Sequence, residues 1–356
     1  MAYLDANATE PLRPQARAAV LAALDLPGNP ASVHAAGRAA RRVLEDARTA
    51  IAAAFGAEPA GVVFTSGGTE ADAMAVACLG RGRRVIVGAT EHDAVRAAAP
   101  DALVLPVDQD GVASLDALER LLASGPALVC LMLANNETGT IQPVAAAAAL
   151  CRKHGALLHV DAVQAAGRVP VSLAGLGADS LAVSSHKLGG PKGAGALLLA
   201  PGRETGALIA GGGQERGRRG GTPALPAIAG FAAAAMAPEA DLAALRDAAE
   251  AAALACGAVA LGARHRLPNT ACLALPRVRA ETQVITLDLA GVQVSAGAAC
   301  SSGKVSRSHV LDAMGAGVLA GEAIRVSLPW NAGWDDVRAF QAAYAAMAAR
   351  LGKHAA

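Results

Sequence analysis

The fold of this chain is decided around Ser184-Ser185-His186-Lys187-Leu188-Gly189-Gly190-Pro191-Lys192-Gly193, a lysine-bearing turn rich in glycine. The short apolar run at residues 180–183 predicts a strand, so Lys187 is expected on the loop at the carboxyl end of that strand. Open α/β sheets bind their ligands at this edge. A lysine amine in that place can form a Schiff base with an aldehyde.

Two further stretches supply what a Schiff-base cofactor of this kind requires. Pyridoxal phosphate needs a carboxylate near its ring nitrogen and a polar cradle for its phosphate, besides the lysine. An apolar run at residues 157–160 ends in Asp161, and Gln164 follows. Residues 64–70 pass from a strand through a glycine turn, with Gly68 and Thr69, into a helix start whose N–H groups attract anions. The sequence therefore predicts a pyridoxal phosphate site at one edge of a parallel sheet.

Taken singly, these residues have ordinary explanations. Lys187 could be a solvated loop residue, Asp161 a helix N-cap and Gln164 a surface residue. The position of each group after its own strand favours the site, because the carboxyl ends of parallel strands meet at one edge of the sheet.

Two loops after neighbouring strands hold further candidates. His92 follows the strand predicted at residues 84–87, and it is either a proton carrier over the cofactor ring or a histidine that caps a helix. Asn136 belongs to a loop that follows the strand predicted at residues 128–133, where a plain turn is the alternative.

Two candidates lie far downstream. Arg325 falls inside a strand pattern, where it either clamps a substrate carboxylate or forms an internal salt bridge. Cys300 lies among small residues at positions 295–303, which favours a reactive thiol on a loop over an inert core thiol.

The composition narrows the class of protein. Of 356 residues, 53% are hydrophobic and 17% are charged, with a formal net charge of +1, which indicates a soluble globular enzyme. Aromatic residues are only 2%, and prolines and glycines interrupt the longest uncharged stretches, so neither a nucleic-acid partner nor a membrane span is expected. Six scattered cysteines and the lack of a secretory signal at the N-terminus predict a cytoplasmic protein without disulfides or a metal site.

Strands and helices alternate through the first two thirds of the chain. After an irregular entry at residues 1–35, helices are predicted at residues 35–54, 115–122 and 144–154, and strands at residues 84–87, 103–106, 128–133, 157–160, 180–183 and 196–199. This pattern predicts a doubly wound α/β fold with a mainly parallel sheet.

The last third predicts a smaller α+β unit. A long helix from about residue 238 to residue 255 leads into it, with strands at residues 272–275, 282–289 and 324–328 and helices at residues 308–314 and 335–350. We therefore predict a large cofactor-binding domain of residues 15–255 and a small domain of residues 1–14 plus 256–356, which carries the Cys300 loop.

Together these motifs give the chain a family resemblance. It resembles the cysteine desulfurases of the NifS/IscS type, in the class V aminotransferase superfamily. The resemblance runs over nearly the whole chain: Tyr3-Leu4-Asp5, Gly28-Asn29-Pro30 with Ser32 and His34, 64–70, Glu91-His92, 135–139, 159–164, 184–193, 211–215, 219–222, 295–303 and 308–311.

The resemblance implies a role for each candidate residue. Lys187 would hold pyridoxal 5'-phosphate, with Asp161 on the ring nitrogen, Gln164 on the phenolate oxygen and His92 over the ring. Gly68, Thr69, Ser184 and His186 would hold the phosphate, with Thr222 reaching in from a partner subunit. Asn136 and Arg325 would bind the substrate carboxylate, and Cys300 would be the nucleophile. Two departures from the family pattern are Asp72, where asparagine is common, and Pro223-Ala224, which replaces a Glu-Asn pair.

The implied fold is type I of the pyridoxal-phosphate-dependent transferases, with a seven-stranded sheet and a homodimer. The implied activity converts L-cysteine to L-alanine and leaves a persulfide on Cys300. The loop that carries Cys300 resembles the longer, group I form. The sulfur would pass to an acceptor or scaffold protein for iron–sulfur clusters or tRNA thiolation, and Cys300 could transiently ligate a cluster. The alternatives are a selenocysteine lyase, or another class V lyase or aminotransferase.

Overall fold

The computed structural model describes residues 1–297 and 307–351. The strands are β1 (Ala2–Tyr3), β2 (Val62–Thr65), β3 (Arg84–Gly88), β4 (Leu103–Leu105), β5 (Ala127–Cys130), β6 (Leu157–Asp161), β7 (Ser180–Ser184), β8 (Gly195–Leu199), β9 (Val259–Leu261), β10 (Thr270–Ala274), β11 (Val292–Gln293), β12 (Ser295–Ala296) and β13 (Ala323–Ser327). The helices are α1 (Pro14–Leu24), α2 (Ala35–Ala54), α3 (Gly68–Leu79), α4 (Asp93–Ala98), α5 (Leu115–Leu122), α6 (Val144–Lys153), α7 (Leu173–Leu176), α8 (Leu225–Ala235), α9 (Ala243–Ala255), α10 (Ala280–Leu289), α11 (His309–Ala313) and α12 (Trp334–Leu351).

A sheet of seven strands forms the centre of the larger part, in the order β2-β8-β7-β6-β5-β3-β4. The strands β7, β6, β5, β3 and β4 pair in parallel, whereas β8 is antiparallel to both β2 and β7. The predicted α/β fold with a mainly parallel seven-stranded sheet is therefore confirmed.

Both faces of this sheet are buried, which explains its continuous apolar strands. Alternate residues of one strand enter different cores: Val129 packs with α2, α5 and α6, and Leu128 and Cys130 pack with α3. A strand covered by helices on both sides has no polar face, so its sequence does not alternate.

The smaller sheet has four strands in the order β12-β13-β10-β9. Its core also contains β1 and the helices α9, α10 and α12. Helix α9 thus packs with the smaller sheet, although residues up to 255 were assigned to the large domain. The division of the chain stays a prediction, and we propose that the boundary lies before α9 rather than after it.

Two sequence predictions are wrong. Residues 282–289, predicted as a strand, lie in helix α10, where Ala280, Gln283 and Leu287 form a buried face at helical spacing. The β-branched residues of this stretch suggested a strand, but packing against the small sheet overrides that weak propensity. Residues 14–24, read as irregular because of prolines, form α1, since Pro14 occupies the first helical position, where proline is favoured.

Candidate active site

A cavity of about 270 Å³ opens at the carboxyl ends of β6 and β7. Most of the residues predicted for the site line it together: Gly68, Thr69, His92, Asn136, Asp161, Gln164, Ser184, His186 and Lys187, with Ala8, Asp72, Met132, Ala134 and Val163. These residues come from segments up to 179 positions apart in the chain, the separation of Ala8 and Lys187. The topology of the sheet therefore brings them together.

Lys187 ends a short 3-10 turn, Ser185–Lys187, that directly follows β7. Its Nζ donates hydrogen bonds to the backbone carbonyl oxygens of Asn7, at 2.6 Å, and of Ala8, at 3.1 Å. The amine is half-buried and enters the cavity beside the N-terminal segment. An amine held by two carbonyl oxygens has a defined position from which to meet an aldehyde.

Asp161 is the last residue of β6, and its Oδ1 accepts a hydrogen bond from Val163 N at 2.8 Å. Burial raises the pKa of Asp161 to about 7, and the Asp72 carboxylate adds to the rise. Near neutral pH this carboxylate is thus poised between its two protonation states. A cationic N–H group in the cavity would stabilise the ionised form.

Gln164 is buried beside Lys187. Its Nε2 donates to the Asn7 carbonyl oxygen at 3.0 Å, and its Oε1 accepts from Arg168 Nη1 at 2.6 Å. The same Asn7 oxygen therefore holds both Gln164 and Lys187, so the N-terminal segment sets their separation.

The glycine turn and the start of α3 form the anion-binding part of the site. The turn ends at Gly67, and the first helical residues, Gly68 and Thr69, present N–H groups at the helix N-terminus, where anions are favoured. Ser184 and His186 line the same space. A Cβ at Gly68 would lie 2.7 Å from Val163 Cγ2, so glycine is required for this close approach to the loop after Asp161.

His92 caps helix α4, because its Nδ1 accepts a hydrogen bond from Ala94 N at 3.1 Å. It also lines the cavity. The capping explanation is therefore confirmed, and the role of His92 as a proton carrier over the cofactor ring stays a prediction.

Arg325 forms an internal salt bridge, with Nη2 at 2.7 Å from Asp5 Oδ1. Its Nη1 donates to the Asn136 carbonyl oxygen at 3.2 Å, and within the described residues its Nε has no hydrogen-bond partner. The guanidinium thus lies behind Asn136 rather than among the residues that line the cavity. The salt-bridge alternative describes this conformation, and binding of a carboxylate stays a prediction.

Besides Arg325, two predicted site residues are not placed in the cavity. Thr222 is exposed and does not line it, so its role in the site of a second copy stays a prediction. Cys300 lies outside the described residues, so its role stays a prediction.

Sequence reasoning missed two contributors. The backbone carbonyls of Asn7 and Ala8 hold Lys187, and no side-chain pattern could have revealed a backbone contact across the fold. Asp72 was noted only as a departure from the family, yet it lines the cavity from α3. Its polar side chain on the buried face of an otherwise apolar helix was the available signal.

Comparison with known protein families shows which family the chain belongs to. The model of the family described as aminotransferase class-V matches residues 2–340. The chain belongs to this family. Among curated class-V relatives, a cysteine desulfurase of Cereibacter sphaeroides is 45% identical, covering 92% of this chain and 90% of the relative. An IscS-like cysteine desulfurase of Mycobacterium tuberculosis is 38% identical over 88% of each chain.

Solved structures of the class-V family agree with the fold. A NifS-like protein from Rickettsia africae has a TM-score of 0.91 and 32% identity, covering 98% of this chain and 99% of the other. The predicted type I fold of this enzyme class is thereby confirmed. Within the described residues, no helix is long and apolar enough to cross a membrane.

The cavity fits the cofactor that the family implies. Lys187 and Asp161 line the same cavity, and the N-terminus of α3 adjoins it at Gly68 and Thr69. An amine, a carboxylate and an anion cradle are the three groups that pyridoxal phosphate requires.

Proposed function

We propose that this protein is a cysteine desulfurase that uses pyridoxal 5'-phosphate to convert L-cysteine to L-alanine. The observation that carries the proposal is the single cavity shared by Lys187, Asp161, His92 and the start of α3. The two curated relatives described above are named cysteine desulfurases, and this chain matches them over most of their length, which supports cysteine as the substrate.

The residues of the cavity divide into those that hold the cofactor and those that hold the substrate. Lys187 would be the covalent anchor, Asp161 would face the ring nitrogen, Gln164 would donate to the phenolate oxygen, and His92 would lie over the ring. The phosphate would be held by Gly68, Thr69, Ser184 and His186, with Thr222 from a second copy of this chain. Asn136 and Arg325 would hold the substrate carboxylate.

The cofactor, when bound, supplies an electron sink for the electron pair that remains on the substrate α carbon after its proton leaves. Lys187 is the base placed to take that proton, because its Nζ enters the cavity. Asp161 would keep a proton on the ring nitrogen of the bound cofactor. Met132, Ala134 and Val163 form an apolar part of the lining around these groups.

Cys300 would receive the sulfur. Its thiolate attacks the sulfur of the substrate, an S–S bond forms, and the bond between that sulfur and the substrate β carbon breaks. The β carbon takes up a proton, so the products are alanine and a persulfide on Cys300. We propose an acceptor protein as the next recipient of this sulfur, and the chain as a homodimer.

A matched pair of cysteine variants tests the proposal. The protein is incubated with L-cysteine, and alanine release and the mass of the peptide that contains residue 300 are measured. We expect one added sulfur atom in the wild type and in Cys256→Ala, a half-buried cysteine elsewhere, and loss of both alanine and added sulfur in Cys300→Ala.

The result that contradicts the proposal is alanine release from cysteine by Cys300→Ala at the wild-type rate. Release of alanine from selenocysteine but not from cysteine would instead support the lyase alternative.

A further inference from the structure

A second carboxylate shares the cavity with Asp161. Asp72 projects from the buried face of α3 and lines the same space, with only 1% of its surface exposed. The proposed function needs one carboxylate for the ring nitrogen, so a second buried acid beside it calls for an explanation. Burial of an acid is unfavourable unless its charge or its proton has a partner.

Asp72 is held by a chain of hydrogen bonds through His159. His159 Nε2 lies 3.1 Å from Asp72 Oδ1, and its Nδ1 lies 2.8 Å from Ser180 Oγ. Burial lowers the pKa of His159 to about 4, so the ring is neutral and carries one N–H. When Asp72 is ionised, Nε2–H donates to the carboxylate and the serine hydroxyl donates to Nδ1.

The hydrogen-bonded side chain of His159 lies on the same side of the sheet as Asp161. His159 and Asp161 are two residues apart on β6, so their side chains leave the same face of the strand. The helix α3 covers that face and contributes Asp72. The two carboxylates thus approach the cavity from the strand and from the helix above it.

The other titratable groups around this pair include His92, His186 and Lys187, which line the same cavity, and the buried Glu91 and Cys130. Glu91 is fully buried, and its Oε1 accepts from Met132 N at 2.6 Å. Burial raises the pKa of Glu91 well above its ordinary value, and it does the same for the thiol of Cys130. Burial also raises the pKa of Asp72 to about 7, with the positive field of His92 acting in the opposite direction.

We propose that Asp72 is a positioning residue for the cofactor, whose charge acts with that of Asp161 to keep the ring nitrogen protonated. The inference rests on the proposed function, since it requires pyridoxal phosphate in this cavity. Burial raises the proton affinity of both acids, and the Asp72 carboxylate adds to the rise for Asp161. A ring N–H cation bound in the cavity that both acids line would favour their ionised forms, whereas a neutral ring would not.

A ligand pair that differs only at the ring nitrogen tests the inference. Affinities of the cofactor-free protein are measured for pyridoxal phosphate and for its analogue with CH in place of the ring nitrogen. The buffer is mildly alkaline, so that Asp72 is ionised. In Asp72→Asn we expect about tenfold weaker binding of pyridoxal phosphate and unchanged binding of the analogue, equivalent to about one pKa unit of lost stabilisation.

Asparagine is the appropriate replacement because its Oδ1 can still accept from His159 while the charge is lost. If Asp72 serves only to hold His159, the variant will bind both ligands as the wild type does. An equal loss for both ligands would indicate a change in the shape of the cavity. Either outcome overturns the inference.

Asp335→Asn, which removes a charge from a side chain that is 95% exposed, should leave both affinities unchanged. If Asp72→Asn does not fold, Asp72→Ser offers the same neutral comparison with a smaller side chain. If the wild-type protein binds neither ligand, the proposed cofactor is refuted. If the wild type binds both and Asp72→Asn changes both affinities equally, only the role of Asp72 is refuted.

Discussion

Two buried acids and a buried histidine make the folding stability of this protein depend on pH. Asp72 and Asp161 both have their pKa raised to about 7, whereas His159 between them has its pKa lowered to about 4, in each case chiefly by burial. The stability that each group contributes therefore changes between its ordinary and its native pKa, which for Asp72 means from about pH 4 to about pH 7.

We expect Asp72→Asn to stabilise the cofactor-free protein increasingly, relative to the wild type, as the pH rises from about 4 to about 7. The pKa of Asp72 is about 7 in the folded protein, against 3.8 for an ordinary aspartate. A carboxyl whose pKa rises on folding contributes stability that is complete below its ordinary pKa and is lost as the pH passes the native value. Asparagine does not titrate, so the variant keeps its stability.

Urea unfolding of both proteins at several pH values measures this difference, which should reach a few kcal/mol at most. His159 acts in the opposite direction, because its lowered pKa removes stability as the pH falls, but it does so in both proteins. A stability difference that stays constant from acid to neutral pH would refute the expected titration of Asp72.

A buried ion pair far from the cavity provides a second prediction. Glu215 is bidentate to Arg48, at 2.9 and 2.8 Å, and also accepts from Phe64 N at 2.9 Å. Glu215→Gln should cost about 3 kcal/mol in the free energy of unfolding, because the buried Arg48 then keeps only the half-exposed Glu45 as a counter-charge. Glu119→Gln, which breaks the exposed pair with Lys153, is the control and should have little effect. Equal effects of the two changes would contradict this account.

Among the secondary-structure elements, strand β8 positions the anion-binding turn. Gly195, its first residue, pairs with Thr65 on β2 and lies directly against the turn that precedes α3. A Cβ at Gly195 would lie 2.7 Å from Gly67 Cα, closer than a real Cβ approaches another atom. The antiparallel β8 therefore fixes where α3 begins.

Gly195→Ala should push the Gly67 turn away and weaken binding of pyridoxal phosphate about tenfold, within the range that overpacking costs. Equilibrium dialysis of the cofactor-free protein measures the affinity. Gly321→Ala is the matched control, since its Cβ would meet nothing within 4 Å. Unchanged affinity in Gly195→Ala would show that the turn adapts without moving the N–H groups of α3.

For the whole molecule, the proposed homodimer explains why Thr222 lies outside the cavity of its own chain. We expect a solution mass of twice the 35.2 kDa chain. We also expect Lys187→Ala and Thr222→Val, each impaired alone, to complement each other when the unfolded chains are mixed and refolded.

The reason is the geometry of a shared site. In a mixed dimer, one site collects both changes and the other has neither, so about a quarter of wild-type desulfurase activity should return from a random mixture. If Thr222 acted in its own chain, each site of the mixed dimer would carry one change. Activity of the mixture would then be no more than the average of the two variants alone.

Local patterns were enough to predict the mainly parallel sheet, most of its strands and the loops that carry Lys187, Asp161 and His92. Apolar runs bounded by helices require a sheet covered on both faces, and a polar residue just after such a run must lie at the carboxyl edge. The same reasoning failed for α10, because a short stretch of β-branched residues has no intrinsic preference strong enough to resist packing.

The sequence alone thus determined the fold class, the family and most of the residues that line the cavity. Only the tertiary structure decided that Asn7 and Ala8 hold Lys187, that Arg325 pairs with Asp5, and that Asp72 shares a cavity with Asp161. These are contacts between segments distant in the chain, often through backbone atoms. Their geometry depends on how the sheet, its helices and the N-terminal segment pack, which no local pattern of residues encodes.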